Sequence, residues 1–580
     1  MTVGIELSRA PGADSPPGIR SRYDPLALEK RGWTSPSVEC APKLAALAAL
    51  ERLAPSEPIP SVSYVSRGNV LVVAGDDVAR AQAAAEALAA TLPVTLVGAD
   101  KAGSSRVKAW NGRVRSLDGY LGEFMATIEG LPGAAAEAPA KFDLVLDFSR
   151  PPLFAMRQPP QGYFAAAGLD GLEPILAEIR EAVGEFEKPR YFAYRESLCA
   201  HSRSRVTGCE ACIEICSTRA ISADGDHVKV DPHLCMGCGA CATVCPSGAM
   251  SYQFPRVADR GEQMRKLLGA YAAAGGRGAT LVFHDGAEGR ALLARAAGEG
   301  AGLPASALPL ETWHVGSVGL DLLLPAIAFG ASRVAVIATP AVDGEYRAAL
   351  REQMEIGEAI LSGLGYEGRH FELVEAGDGA ALTAGLDAPG ASALPEPASF
   401  AVSNDKRTSI EFAVEHLARH APRPVDEIAL PGGSPFGEVR VDASRCTMCM
   451  ACVGACPESA LMDGVDTPLL KFLERNCVQC GLCEATCPED AITLSPRLLL
   501  TPSVREARVL NRTEPFHCIR CKKAFGTKQV VEAMLGRLAG HSMFASQGAL
   551  TRLQMCADCR VVDMMSSTNE VSVLDLGGRG

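Results

Sequence analysis

Apolar residues along this chain fall into runs and periodic stretches that mark two separate α/β regions. Val70-Leu71-Val72-Val73 is a continuous apolar run, the pattern of a buried strand, and is followed by Gly75. A long Ala-rich helix is predicted from Val78 to Leu92, and Pro93 to Val97 gives the next strand. Leu144-Val145-Leu146 is a later strand, so residues 61 to about 190 form a small α/β unit. A second unit runs from 279 to about 380. Its strands are Thr280–Phe283 and Val334–Ala338, with a helix between them from near Gly316 through Ala328. A further helix, Glu345 to Leu364, carries charged residues on its outer face, and the Ala/Pro/Gly-rich stretch Asp387–Ala398 reads as a linker.

Neither pattern covers the cysteines, which set the organisation of the rest. Twenty-one are present, and only Cys40 stands apart, as a plain thiol. Eight lie between Cys199 and Cys245, eight between Cys446 and Cys487, and four between Cys518 and Cys559; none lies from 246 to 445. The second group reads Cys446-x2-Cys449-x2-Cys452-x3-Cys456-Pro457, then Cys477-x2-Cys480-x2-Cys483-x3-Cys487-Pro488. Three cysteines at three-residue steps wrap a loop around one cubane, and the fourth ligates the other cluster of the pair. One cluster would use Cys446, Cys449, Cys452 and Cys487, and its neighbour Cys477, Cys480, Cys483 and Cys456. Gly481 and Ala451 are small residues where the backbone must approach inorganic sulfur.

The first group follows the same grammar with one irregularity. It reads Cys199-x9-Cys209-x2-Cys212-x3-Cys216, then Cys235-x2-Cys238-x2-Cys241-x3-Cys245-Pro246, the latter preceded by a strand-like run from His227 to Val230. The expected sets are Cys199, Cys209, Cys212 and Cys245 for one cluster, and Cys235, Cys238, Cys241 and Cys216 for the other. The opening loop is seven residues longer than usual, and Ser217 stands where proline is usual. That polar, basic loop (AHSRSRVTG) either shifts the cluster's potential or docks a redox partner, and loss of Cys199 as a ligand would leave a three-iron cluster.

Cys518-x2-Cys521 and Cys556-x2-Cys559 are separated by a helical insert, Lys528 to Gly540. Two facing CxxC hairpins give tetrahedral sulfur coordination suited to Zn2+. A single iron or an additional cluster is the alternative; Lys522 and Arg560 replace the glycine usual in rubredoxin knuckles. His201, His314 and His517 lie near these segments and read as structural or surface residues.

Composition narrows the function classes. At 580 residues the chain needs several domains. A net charge of −12 without a basic stripe argues against nucleic acid as the main partner. No run reaches the roughly 20 apolar residues of a membrane span, and neither a signal peptide nor a twin-Arg signal is present, so a cytoplasmic protein with reduced thiols is expected. A dinucleotide fingerprint needs three glycines; only Gly75 is present, followed by Asp76-Asp77, whose carboxylates would repel a pyrophosphate. No catalytic constellation is present.

The eight cysteines and two prolines from Cys446 to Pro488 resemble bacterial two-cluster ferredoxins. The segment from about Leu281 to Glu375, through its Leu322–Ala331 run and Leu364-Gly365, is similar to the delta-subunit domain of methyl-viologen-reducing hydrogenase. That family carries a [2Fe–2S] cluster on cysteines this segment lacks, so the resemblance implies a retained fold without the cluster. Gly112-Arg113-Val114 and Gly119-Tyr120-Leu121-Gly122 distantly resemble heterodisulfide-reductase-type subunits. The whole arrangement looks like large proteobacterial 4Fe–4S-binding proteins found beside formate dehydrogenase genes, which implies electron transfer near a molybdenum or tungsten enzyme.

The expected fold is multidomain, α/β and α+β. Residues 1–60 form an extension, 61–190 a degenerate nucleotide-binding-like domain, 191–260 ferredoxin module I and 261–430 the hydrogenase-delta-like domain and linker. Residues 431–505 form ferredoxin module II and 506–580 a zinc-ribbon-like knuckle. The expected function is a polyferredoxin with four [4Fe–4S] clusters and one Zn2+, exchanging single electrons with a redox enzyme such as formate dehydrogenase. The rival reading is a maturation or scaffold protein for a metalloenzyme; a flavin- or nicotinamide-dependent oxidoreductase is disfavoured by the missing glycines.

Overall fold

The computed structural model describes residues 8–9 and 41–566, except 55, 101–103, 131–137, 299–302, 388–390, 392–393, 395, 465–466 and 545–546. Cys40 and residues 1–7, 10–39 and 55 of the N-terminal extension lie outside the described residues, and its remainder includes the helix Ala41–Glu51. The chain divides into two compact units. The first comprises 1–196, 211–224 and 228–424, and the second 197–210, 225–227 and 425–580.

In the first unit, the run at Val70 becomes the central strand Val70–Val73 of a five-stranded parallel sheet. Val94–Val97 and Val107–Trp110 lie to one side, Leu144–Asp147 and Tyr163–Ala165 to the other. The absence of alternation has a physical cause, since both faces are covered. Val70 and Val72 pack with Ala81, Ala85 and Leu88 of the helix Val78–Leu88. Leu71 and Val73 pack with Phe124 and Phe142 of an antiparallel three-stranded sheet, Arg113–Asp118, Phe124–Glu129 and Ala138–Phe142, which the apolar pattern did not announce. The helix ends at Leu88, earlier than the expected Leu92, while Leu92 still packs against the core as loop.

The second α/β region of this unit is a four-stranded parallel sheet in the order Ala307–Thr312, Thr280–Asp285, Arg333–Ala338, Phe371–Glu375. The expected helix near Gly316 splits into a short 3-10 turn, Val315–Ser317, and the helix Leu320–Ala328. Gly344–Gly363 matches the charged helix, with the Asp343 carboxylate accepting from the Glu345 N–H at its start. Within the stretch expected as a linker, Leu394 and Ala398 are buried, and the Ala398 N–H donates to the Ala328 carbonyl at 2.7 Å. The stretch leads into an unforeseen helix, Lys406–Arg419, capped by Asp405.

The second unit is built on short antiparallel sheets. Glu427–Ala429 and Gly437–Val441 flank Ile492–Leu499, and Leu461–Met462, Leu469–Phe472 and Arg508–Arg512 form another. Val439, Leu470, Phe472 and Ile492 make its core together with the cysteines. Beyond lie the hairpin Pro515–His517/Ala524–Thr527 and the helices Lys528–Leu538, Gln547–Arg552 and Ala557–Ser566. Among the described residues, no helix is long and apolar enough to cross a membrane.

Candidate metal centres

Each three-cysteine loop turns by placing the residues on both sides of its central cysteine in left-handed backbone. Around Cys238 these are Gly237 (φ 78°) and Gly239 (φ 75°), around Cys449 Met448 (55°) and Met450 (63°), and around Cys480 Gln479 (54°) and Gly481 (83°). A Cβ on Gly237 would meet the Tyr191 ring at 2.7 Å, so glycine there is required by space as well as by φ. Each loop then enters a five-residue helix, Ala240–Val244, Ala451–Ala455 or Leu482–Thr486. The helix stops at the next cysteine, Cys245, Cys456 or Cys487, which adopts extended backbone. The main chain also donates to these sulfurs: Met250 N–H to Cys245 (3.5 Å), Ala460 to Cys456 (3.2 Å) and Ala491 to Cys487 (3.3 Å). Donors aimed at sulfur favour the thiolate a metal requires.

Three cavities result. Cys216, Cys235, Cys238 and Cys241 line one with an empty volume of about 490 Å³. Cys456, Cys477, Cys480 and Cys483 line the second, about 360 Å³, and Cys446, Cys449, Cys452 and Cys487 the third, about 350 Å³. Each unites three cysteines of one loop with a fourth from the opposite half of its segment. Of the remaining four cysteines, Cys199 and Cys209 belong to the second unit and Cys212 and Cys245 to the first.

Burial holds six of these thiols, Cys235, Cys238, Cys241, Cys452, Cys480 and Cys483, in their neutral form. Burial, then the neighbouring Cys238, pushes Cys235 up to about 12, and burial carries Cys241 well above the usual thiol range. Cys452 is raised to about 12 and Cys480 to about 11, chiefly by burial, with neighbouring cysteines adding to it. Such an array becomes favourable as thiolates only around a positive core.

The Cys518, Cys521, Cys556 and Cys559 group differs in scale. Its four sulfurs lie within 4.8 Å of one another, the only such group of potential ligands among the described residues. Cys521 and Cys556 sulfurs are 3.6 Å apart, close to the ~3.8 Å edge of a tetrahedron built on 2.3 Å zinc–sulfur bonds. Burial opposes ionisation of Cys518, but the N–H groups of Cys521, Cys556 and Arg520 outweigh it and hold the thiol at about 6. This set fits a single ion.

Residues in and beside the first-group cavity are also held by side chains that the cysteine pattern did not reveal. The Lys188 ammonium, on strand Gly184–Pro189, donates to the carbonyls of His233 (2.7 Å) and Cys235 (2.8 Å). Burial lowers that ammonium to about 8. Lys406 Nζ donates to the carbonyls of Ala242 (2.9 Å), Thr243 (2.6 Å) and Cys245 (3.0 Å). The Tyr346 hydroxyl meets Ser217 Oγ at 2.5 Å and hydrogen-bonds the Cys238 sulfur. Ser217, the departure from proline, thus has a partner of its own. A signal for Lys188 was available: it lies in phase with the buried Phe186 on its strand, an inward lysine.

The histidines act structurally. His314 Nδ1 accepts from the Gly316 N–H at 3.0 Å, and His201 Nδ1 pairs with the Cys209 carbonyl at 3.2 Å; His517 is exposed. The long opening loop forms a hairpin, Ser202–Arg203 with Val206–Thr207, within the second unit. There Ala200, Val206 and Cys209 pack with Ala455, Cys480 and Leu482, while Ser204, Arg205 and Thr207 are exposed. At the dinucleotide position, Gly75 (φ 51°) is closed off: a Cβ would lie 2.5 Å from the Phe148 carbonyl oxygen. Asp77 caps the helix Val78–Leu88 by accepting from Arg80 N–H.

Comparison with protein families agrees with this chemistry. Residues 207–249 match the 4Fe–4S dicluster domain, a span that includes seven of the first eight cysteines and begins after Cys199. Residues 439–462 and 471–493 match the 4Fe–4S binding domain. No curated protein matches the chain. The chain therefore carries ferredoxin-type 4Fe–4S domains, which support an iron–sulfur electron-transfer role and imply a redox partner of some kind.

Proposed function

We propose that the protein is a polyferredoxin: a relay of four [4Fe–4S] clusters with one structural zinc. The observation that carries this reading is the lining of three cavities by cysteine quartets, each assembled from two halves of a segment. Cys446, Cys449, Cys452 and Cys487 would hold one cluster, and Cys477, Cys480, Cys483 and Cys456 its neighbour. Cys235, Cys238, Cys241 and Cys216 would hold a third, and Cys199, Cys209, Cys212 and Cys245 the fourth, on the spacing of the sequence. When bound, such a cluster supplies a one-electron couple whose potential follows burial, charge and hydrogen bonds to sulfur. The chain's own part is to fix the thiolates, donate N–H groups to them and exclude water. Cys449 is exposed whereas Cys452 is buried, so a redox partner would approach at the Cys449 loop. The resemblances favour formate dehydrogenase as that partner and a hydrogenase-delta-like fold for the second α/β region. The tetrathiolate group would hold zinc, with Cys518, Cys521, Cys556 and Cys559 as ligands.

An EPR-monitored redox titration of anaerobically purified full-length protein tests this, with iron, sulfide and zinc assayed on the same sample. Four reversible one-electron centres are expected. Few or chelator-labile centres would overturn the relay and favour a maturation role.

A further inference from the structure

The Cys216/Cys235/Cys238/Cys241 cavity is served by groups from elements that bear no cysteine. Lys188 comes from the strand Gly184–Pro189, Tyr346 from the helix Gly344–Gly363 and Lys406 from the helix Lys406–Arg419. All are buried: Lys188 is 2% exposed, Tyr346 3% and Lys406 8%. Lysines are seldom buried so fully unless something fixed receives their charge. Here the receivers are main-chain carbonyls of residues 233, 235, 242, 243 and 245, in and beside the ligand loop.

The geometry points to Lys188, Tyr346 and Lys406 as positioning residues that raise the reduction potential of the centre held by this quartet, giving the flanking α/β regions a part in electron transfer. The inference rests on the polyferredoxin reading. Reduction adds one negative charge to the centre. Two buried ammoniums favour that charge, and the dipole of the Tyr346 hydroxyl, close to the Cys238 sulfur, adds to their field. The Tyr346 hydroxyl donates to Ser217 Oγ, which in turn donates to Gln158 Oε1 at 3.3 Å. Asp231 faces Lys188 and Asp321 faces Lys406, and these carboxyls offset part of the field. No equivalent lysine–carbonyl clamp occurs at the two cavities of the second unit among the described residues.

The test is an EPR-monitored titration of full-length wild type and of Lys406→Met, Lys188→Met and Tyr346→Phe. In Lys188→Met and Tyr346→Phe, one centre is expected to move to lower potential while the others hold; Lys406→Met is expected to move that centre and the one that takes Cys245, whose carbonyl Lys406 also reaches, and to leave the two centres of the second unit in place. For the lysine variants the reduced-to-oxidised ratio of that centre at fixed ambient potential should fall about tenfold, ~59 mV for a one-electron couple. Iron and sulfide contents stay at the wild-type value. Tyr346→Phe removes a single oxygen and keeps the test decisive if a lysine variant fails to fold. Unmoved potentials with full cluster content, or equal shifts of every centre, overturn the inference and leave the relay standing. Absence of any reversible centre in wild type overturns the relay itself and the inference with it.

Discussion

Arg497 is the electrostatic hub of the second unit, and its removal should be felt both in stability and at a cluster site. Its guanidinium makes a two-pronged contact with Glu474, 2.8 Å on each arm, and reaches Glu438 at 2.9 Å and Glu427 at 3.0 Å. Side-chain exposure sorts these carboxylates: 6% for Glu474, 13% for Glu438 and 58% for Glu427. The exposed pair contributes about 0–1 kcal/mol. Arg497→Met would strand the two shielded carboxylates, and breaking a buried pair by removing one partner costs about 3–5 kcal/mol. Arg508 stays within 3.1 Å of Glu438 and 3.7 Å of Glu474 and is 41% exposed, so it relieves part of the loss. The expected cost is therefore about 3 kcal/mol, or roughly 6–12 °C in the melting temperature of a unit this size. The Cys477 N–H is bonded to the Glu474 carbonyl at 3.0 Å, so loosening Glu474 should also hasten loss of iron from the Cys456/Cys477/Cys480/Cys483 site. Anaerobic melting followed by circular dichroism and by visible absorbance reads both effects. Adding Glu474→Gln to the Arg497→Met background should recover stability, because it removes the stranded charge. A cost below about 1 kcal/mol, or further loss in the double variant, would refute the assignment of a shielded hub.

Four further outcomes are expected. Cys487→Ser should disturb the centre of Cys446, Cys449 and Cys452, and Cys456→Ser the centre of Cys477, Cys480 and Cys483; EPR showing the reverse would break the ligand sets. Cys556→Ser should abolish single-metal binding at the tetrathiolate group without altering iron or sulfide content, as read by metal analysis. Gly75→Ala should cost about 2 kcal/mol or more in urea unfolding, since it adds a Cβ against the Phe148 carbonyl at a positive φ; a neutral result would mean the turn can relax. His284 is held below its usual range by burial, so the folded state favours its neutral form. Its contribution is present above the unfolded value near 6.5 and is lost as pH falls below it, so His284→Gln should flatten the acid-side fall in stability; an unchanged slope would exclude that contribution.

The cysteine grammar was legible because ligand spacing is local: three-residue steps and an extended fourth cysteine are properties of a dozen residues. The buried strand at Val70–Val73 was legible for the same reason. What escaped was long-range. The antiparallel sheet carrying Phe124 and Phe142 alternates in burial but has short, mixed strands, and the helix Lys406–Arg419 is half polar. Its value lies in Lys406, whose partners are more than 160 residues away in sequence. The linker reading of Asp387–Ala398 failed at its end because Pro and Ala composition does not report burial, and Ala398 is anchored by Ala328.

The left-handed pairs around the central cysteines bear on how each loop is held. Gly237 and Gly239 adopt those angles freely. Met448 and Met450 each hold a conformation that costs an L-residue about 1–2 kcal/mol. That cost is met partly by folding Met448, 2% exposed, into the core beside Leu470 and Phe472. The loop around Cys449 is thus a spring already set by the surrounding fold, whereas the loop around Cys238 is unstrained and is held by close packing of Gly237 against Tyr191 and Gly239 against Ser317.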